Sequence, residues 1–299
     1  MSILNYMARP CFLTHIGEPL RSLRSNEHKK VLEKFPDYDY CNPENLEEIF
    51  SVLQKMVEMS VASQAVAILY IYGHGNNEED ILFTFPKLKI KAKHIYDYLA
   101  QSKKNYPSFK CVVLVETCFS GYFAKLGEEL CCEALITSTD DKHVSRNNLL
   151  LSAFNEVLME SSIFTPDKIY SHAYDDDDDD KSWTQKSKTI QMASVWDLSS
   201  INEDFAKEHN LSKDNFKECF PQKFGNTDLL LKPVVSVDIM TQVVEETTAK
   251  GQILSSENLH QNLLELTKQP YSFEDFFASM TLRQFKCNCK IKPDNVIVN

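Results

Sequence analysis

The sequence predicts an α/β protein built on a mostly parallel sheet flanked by helices, and three observations carry that reading. Val66-Ala67-Ile68-Leu69-Tyr70-Ile71-Tyr72 and Cys111-Val112-Val113-Leu114-Val115 are unbroken apolar runs, the pattern of strands covered on both faces. Segments with apolar residues at helical spacing lie between such runs and are long enough to cross over between parallel neighbours. The chain is 299 residues long and 43% hydrophobic, with 18 Phe and 12 Tyr, which is material for one large core.

The elements follow in order. Cys11-Phe12-Leu13-Thr14 reads as a first strand, with a helix around Asn26 to Lys34. Asn42-Pro43 supplies a helix start, because an Asn side chain caps the first amides and proline has no N–H to leave unpaired there. Leu46, Ile49, Phe50, Leu53, Met56 and Val57 then fall on one helical face. Ile81 to Ile90 reads as a hairpin, and Lys93 to Gln101 as a helix. Ala134-Leu135-Ile136-Thr137 is a further buried strand, followed by a helical pattern from Asn148 to about Ser161.

Six consecutive acidic residues, Asp175 to Asp180, repel one another and predict an exposed, mobile loop that could also serve as a processing linker. Thr189 to Val195 and Val234 to Ile239 are candidate late strands. Beyond Met240 the texture becomes helical: Leu259, Leu263 and Leu266 share one face, with Phe273, Phe276 and Phe277 expected to dock near it. The division expected is a main domain over 1–240, with the acidic loop at 175–181, and a helical extension over 241–299.

Charge and cysteine usage exclude several classes. A net charge of -11 argues against a general nucleic-acid binder, since phosphate contacts need clustered Lys and Arg. Lys87, Lys89, Lys91 and Lys93 read as a solvated face. Nine cysteines, an odd and unevenly spaced set, argue against a disulfide scaffold and for a reducing compartment. No apolar run reaches the length of a membrane span, and Met1 to Pro10 lacks the charge and hydropathy pattern of a signal peptide. A cytoplasmic location is expected, or an endolysosomal or vacuolar one if the start is incomplete.

Two segments carry the chemistry. Open parallel sheets bind ligands outside the carboxyl ends of their strands. Tyr72-Gly73-His74-Gly75 closes one buried strand, and Glu116-Thr117-Cys118-Phe119-Ser120-Gly121 closes another. If the strands are neighbours, His74 and Cys118 emerge on one rim. A thiol attacks an acyl carbon as thiolate, so it needs a nearby imidazole, which can then protonate the leaving amine. Gly75 lets backbone approach a substrate, and the N–H groups of Gly75 and Cys118 are candidate oxyanion donors. This chemistry needs no metal and no cofactor. Cys287-Asn288-Cys289 lacks the second pair that a zinc site would use, and His143 is a further rim residue.

These two motifs resemble the His-Gly and Glu-x-Cys-x-Ser-Gly motifs of legumain-type cysteine peptidases, relatives of caspases and of the catalytic subunit of GPI transamidase. Phe85-Pro86-Lys87-Leu88 resembles the family's segment after the histidine, and Phe224-Gly225-Asn226-Thr227-Asp228-Leu229 its late Gly-containing segment. The resemblance spans roughly Cys11 to Ile239. It implies a caspase-like three-layer sandwich, a mostly parallel central sheet flanked by helices, and a cysteine endopeptidase with Cys118 as nucleophile and His74 as general base and acid. It also implies substrate contacts from Glu116, from Arg24 (Arg21 being the next candidate) and from Ser138, with a polypeptide as partner and cleavage after Asn or Asp as the family preference.

Departures qualify that transfer. No Asn-x-Arg-His run follows the first strand, and Ser145-Arg146-Asn147-Asn148-Leu149-Leu150-Leu151-Ser152 holds no carboxylate where legumains place an acidic pocket residue. Two alternatives stand beside the peptidase: a catalytically silent caspase-like module that binds protein, and a transamidase or ligase using the same dyad. The sequence sets no oligomeric state.

Overall fold

The computed structural model describes residues 8–17, 31, 34–35, 38–76, 82–85, 87–143, 145, 149–178 and 221–289. Arg24, Arg21, the region around Asn26 and the segment Thr189 to Val195 lie outside the described residues.

The long apolar runs become the centre of one sheet. β1 (Arg9–Gly17), β3 (Val66–Tyr72), β7 (Cys111–Glu116) and β8 (Ala134–Thr137) lie side by side in parallel, with β9 (Gln222–Gly225) added antiparallel to β8. At the other flank β1 pairs in parallel with β10 (Leu231–Pro233) through its first residues and with β2 (Asp39–Cys41) through its last. A separate antiparallel sheet joins β4 (His74–Asn76), β5 (Leu82–Thr84) and β6 (Lys89–Lys91), so the expected hairpin is two arms of a three-stranded unit.

Alternation along the central strands divides the core in two. Ala67, Leu69 and Ile71 of β3 and Val113 and Val115 of β7 face one way, toward α1 (Leu46–Ser63) and α2 (Ala92–Asn105). Val66, Ile68 and Tyr70, with Val112 and Leu114, face the other way, toward α3 (Leu149–Glu160) and α4 (Pro166–Asp178). Apolar residues on both sides of a strand are what two covered faces require. The expected three layers are present.

Several boundaries differ from the sequence reading. Helix α1 is capped three residues after Asn42: Asn45 is its N-cap, taking the Glu48 N–H at 3.0 Å on its side chain, while Glu48 accepts from Asn45 and from the Glu44 N–H. That reciprocal pairing outcompetes the Asn42-Pro43 start. The acidic run does not form a loop throughout: α4 continues to Asp178, while Asp179 and Asp180 lie outside the described residues. Buried Ile169 and Ala173 anchor the helix, and each residue added to an existing helix costs less order than a new turn.

Val234 to Ile239 is not a strand. The chain leaves β10 at Pro233, and Ser236 caps α5 (Val237–Ala249) by accepting the Ile239 N–H at 3.3 Å. Then α6 (Ser256–Thr267) and α7 (Phe273–Cys289) complete a helical unit with its own core of Val235, Met240, Val243, Leu259, Leu263 and Phe276. Phe273 and Phe276 dock as expected, each ring 5.6 Å from that of His260 on α6, although Phe273 remains 49% exposed; Phe277, at the edge of the same face, is 44% exposed. Among the described residues no helix is long and apolar enough to cross a membrane.

Candidate active site

The register of β3 against β7 builds the site. Tyr72 pairs with Glu116, and the Gly73 N–H still reaches the Glu116 carbonyl at 3.3 Å. His74 and Cys118 each lie two residues beyond that last pair, so the two strands bring both to the carboxyl rim. The condition set by the sequence, that the strands be neighbours, is met.

The chain turns sharply at each arm. After Cys118, Phe119 takes a left-handed conformation, φ 58°, and starts the 3-10 helix Ser120–Lys125. A phenylalanine rarely adopts that region. It is held there by burial of its ring, by its N–H to the His143 carbonyl at 2.9 Å, and by its own carbonyl taking the Tyr122 N–H at 3.1 Å. On the other arm His74 enters β4 opposite Thr84 and is exposed. Gly75 follows with its backbone against that of Cys118: a Cβ there would stand 1.9 Å from the Cys118 carbonyl oxygen.

Cys118 is half-buried. Burial pushes its thiol above the ordinary value, and three backbone N–H groups act the other way, those of Ser145, Gly75 and Cys118 itself. The Ser145 N–H lies 3.4 Å from Sγ. Amides converging on a sulfur stabilise its anion. The same kind of cradle receives the oxygen of an attacked carbonyl.

Two residues expected to meet substrate sit elsewhere. Glu116 is only 2% exposed, because it continues the alternation of Val112 and Leu114 and points beneath the rim toward α3. Its Oε2 accepts from the Tyr70 hydroxyl and, at 3.1 Å, from the Leu151 N–H in the first turn of α3. Burial nevertheless raises its carboxyl to about 7. Ser138 is fully buried, and its hydroxyl donates to the Thr117 carbonyl at 3.3 Å. Both side chains are enclosed beneath the rim.

Other features went unread in the sequence. Asp140, just beyond β8, accepts from His143 Nδ1 at 2.7 Å and from the backbone N–H groups of Lys142 and His143. The Asp-x-x-His spacing on a strand-end loop was the available signal. Ser120 and Ser145 join Ser138 in a hydroxyl cluster. Among the described residues no group of three or more His, Cys, Asp or Glu is placed to hold a metal ion. Cys131 and Cys132 are buried in the core beside Cys111. A small apolar cavity lined by Phe12, Phe35, Met59 and Leu282 includes none of the rim residues.

No protein-family model matches the chain. No curated protein matches it in sequence. Among solved structures it is similar to caspase-1 from Spodoptera frugiperda, at 13% identity and a TM-score of 0.44, over 76% of this chain and 91% of that one. It is also similar to the structure of pro-sf-caspase-1, at 12% identity and a TM-score of 0.42, over 76% of this chain and 97% of that one.

Proposed function

We propose that the protein is a cysteine-type endopeptidase in which Cys118 is the nucleophile and His74 carries the proton. The observation that supports this most is the β3–β7 register, by which the strands carrying an exposed imidazole and an amide-cradled thiol end at the same rim. In this reading His74 takes the Cys118 proton and the thiolate attacks the peptide carbonyl. The N–H groups of Gly75 and Cys118 receive the developing oxyanion. His74 then protonates the leaving amine, and water, deprotonated by His74, releases the acyl group. Of the candidates for selecting Asn or Asp, Glu116 and Ser138 are buried and Arg24 lies outside the described residues.

The test is cleavage of a peptide library by the parent, Cys118→Ala and His74→Ala, together with labelling by an acyloxymethyl-ketone peptide. Cleavage lost in both variants, with parental label on Cys118, supports the reading. Cleavage by Cys118→Ala at the parental rate sinks it. One observation favours a second reading, a protein-binding module without turnover: burial leaves the Cys118 thiol raised rather than lowered. A parent that neither cleaves nor takes the label at any pH supports that module instead.

A further inference from the structure

The sulfur of Cys118 is closed into a ring of hydrogen bonds that no catalytic role yet explains. The Ser145 N–H approaches Sγ at 3.4 Å. The hydroxyl of the same serine donates to Ser138 Oγ at 2.6 Å. Ser138 donates in turn to the carbonyl of Thr117, the residue before Cys118, at 3.3 Å. The ring thus leaves Cys118 through its side chain and returns through its backbone.

Ser120 braces the ring from the other side of Cys118. Its Oγ lies 3.3 Å from Ser138 Oγ and from the Thr139 carbonyl, and it accepts the Thr139 N–H at 3.2 Å. Ser138 itself is fixed to β7 by its N–H to the Val115 carbonyl at 3.0 Å. Each hydroxyl has one proton to give: Ser145 to Ser138, Ser138 to Thr117, Ser120 to Thr139, so Ser120 braces the ring through the Thr139 backbone rather than through a hydrogen bond to the Ser138 hydroxyl. Ser120 and Ser138 are buried, with exposures of 1% and 0%, where a hydroxyl without a partner would be costly. A loop amide standing alone could drift from the sulfur, whereas one tied through two hydroxyls to the neighbouring backbone cannot.

We propose that Ser138 and Ser145, braced by Ser120, are positioning residues that hold the Ser145 N–H on the Cys118 sulfur and so favour its thiolate. The inference rests on the reading of Cys118 as nucleophile. None of the three serines titrates. Among the described residues the titratable groups on the flanking elements are His74 on β4, Glu116 on β7, and Asp140 and His143 beyond β8, and all are kept in every variant.

The test is the pH profile of iodoacetamide alkylation at Cys118, read by mass spectrometry of its peptide because the chain has nine cysteines. Parent, Ser138→Ala, Ser145→Ala and Ser145→Thr are compared as full chains. Loss of a hydrogen bond to the charged form predicts alkylation about tenfold slower at neutral pH in Ser138→Ala and Ser145→Ala. Ser145→Thr, which keeps the hydroxyl, should restore the parental profile. Profiles that coincide in parent and both alanine variants, with unchanged thermal unfolding, overturn the proposal. So does a slowed profile that Ser145→Thr leaves slowed.

Ser145 is only half-buried, so Ser145→Ala carries the test should Ser138→Ala fail to fold. Alkylation needs no peptide turnover, so the two readings fail separately. Unchanged profiles beside cleavage that needs Cys118 overturn the serine ring alone. Shifted profiles in a protein that cleaves nothing overturn the peptidase alone.

Discussion

The backbone of Gly75 is packed directly on that of Cys118, close enough that a methyl group would stand 1.9 Å from the Cys118 carbonyl oxygen. No side chain fits there without moving one strand end from the other. Gly75→Ala should therefore lower peptide cleavage and acyloxymethyl-ketone labelling of Cys118 together, by at least about a hundredfold. Its unfolding transition should change less than its activity, because the clash lies at the rim and not in the core. The check is labelling rate set beside a thermal melt.

His74→Ala should lower the rate constant for cleavage by about 10²–10⁴-fold, the usual contribution of a positioned proton carrier, with a smaller effect on KM. Steady-state kinetics of a peptide cut by the parent would show it. A raised KM with kcat unchanged would instead assign His74 to binding.

Glu116 gives a pH signature. Its folded-state value, about 7, lies above the ordinary 4.5. The folded protein therefore holds this proton more tightly than the unfolded chain does. The resulting stabilisation is fully present below about 4.5 and is lost as pH rises through about 7, an effect on the order of 3 kcal/mol. Glu116→Gln carries no such proton, so its stability relative to the parent should rise across that window and level off above it. Urea unfolding of both proteins at several pH values measures the difference.

Lys232 and Asp275 form an ion pair at 3.1 Å with both side chains buried, linking β10 to the first turn of α7. Asp275 and Ser272 also cap that helix reciprocally, at 2.9 and 3.1 Å. Asp275→Ala should destabilise the protein by about 3–5 kcal/mol, since it strands a buried ammonium. Lys232→Met combined with Asp275→Leu should cost less than Asp275→Ala alone, because it leaves no charge uncompensated. Chemical denaturation of the two variants distinguishes the cases.

How much was legible follows from what each residue had to satisfy. The strands β3, β7 and β8 could be read because burial on both faces demands apolar residues at every position, and the dyad followed from where those runs end. The three-residue strands β2 and β10 could not, because Asp39-Tyr40-Cys41 and Leu231-Lys232-Pro233 are too short to show a period. Asn42 and Asn45 are both competent caps, and only the match with Glu48 decides between them. The inward turn of Glu116 was readable in principle, since it shares its parity with Val112 and Leu114. A carboxylate at a strand end nonetheless reads more naturally as a surface group, and its partners, Tyr70 and the first turn of α3, come from distant sequence. The hydroxyl cluster joins serines from two segments, those that follow β7 and β8, a convergence that only the fold creates.

The short strand β10 has a consequence for assembly. A bare strand at the margin of a sheet invites pairing with another chain. Here Leu231 gives its N–H to the Phe164 carbonyl at 2.8 Å, Pro233 has no N–H to give, and the Val235 N–H is taken by Ser279 at 3.0 Å. That border is spent on the protein's own segments. A second copy or an extended peptide arriving at β10 would find no row of donors to continue, so growth of the sheet by strand addition is blocked along β10.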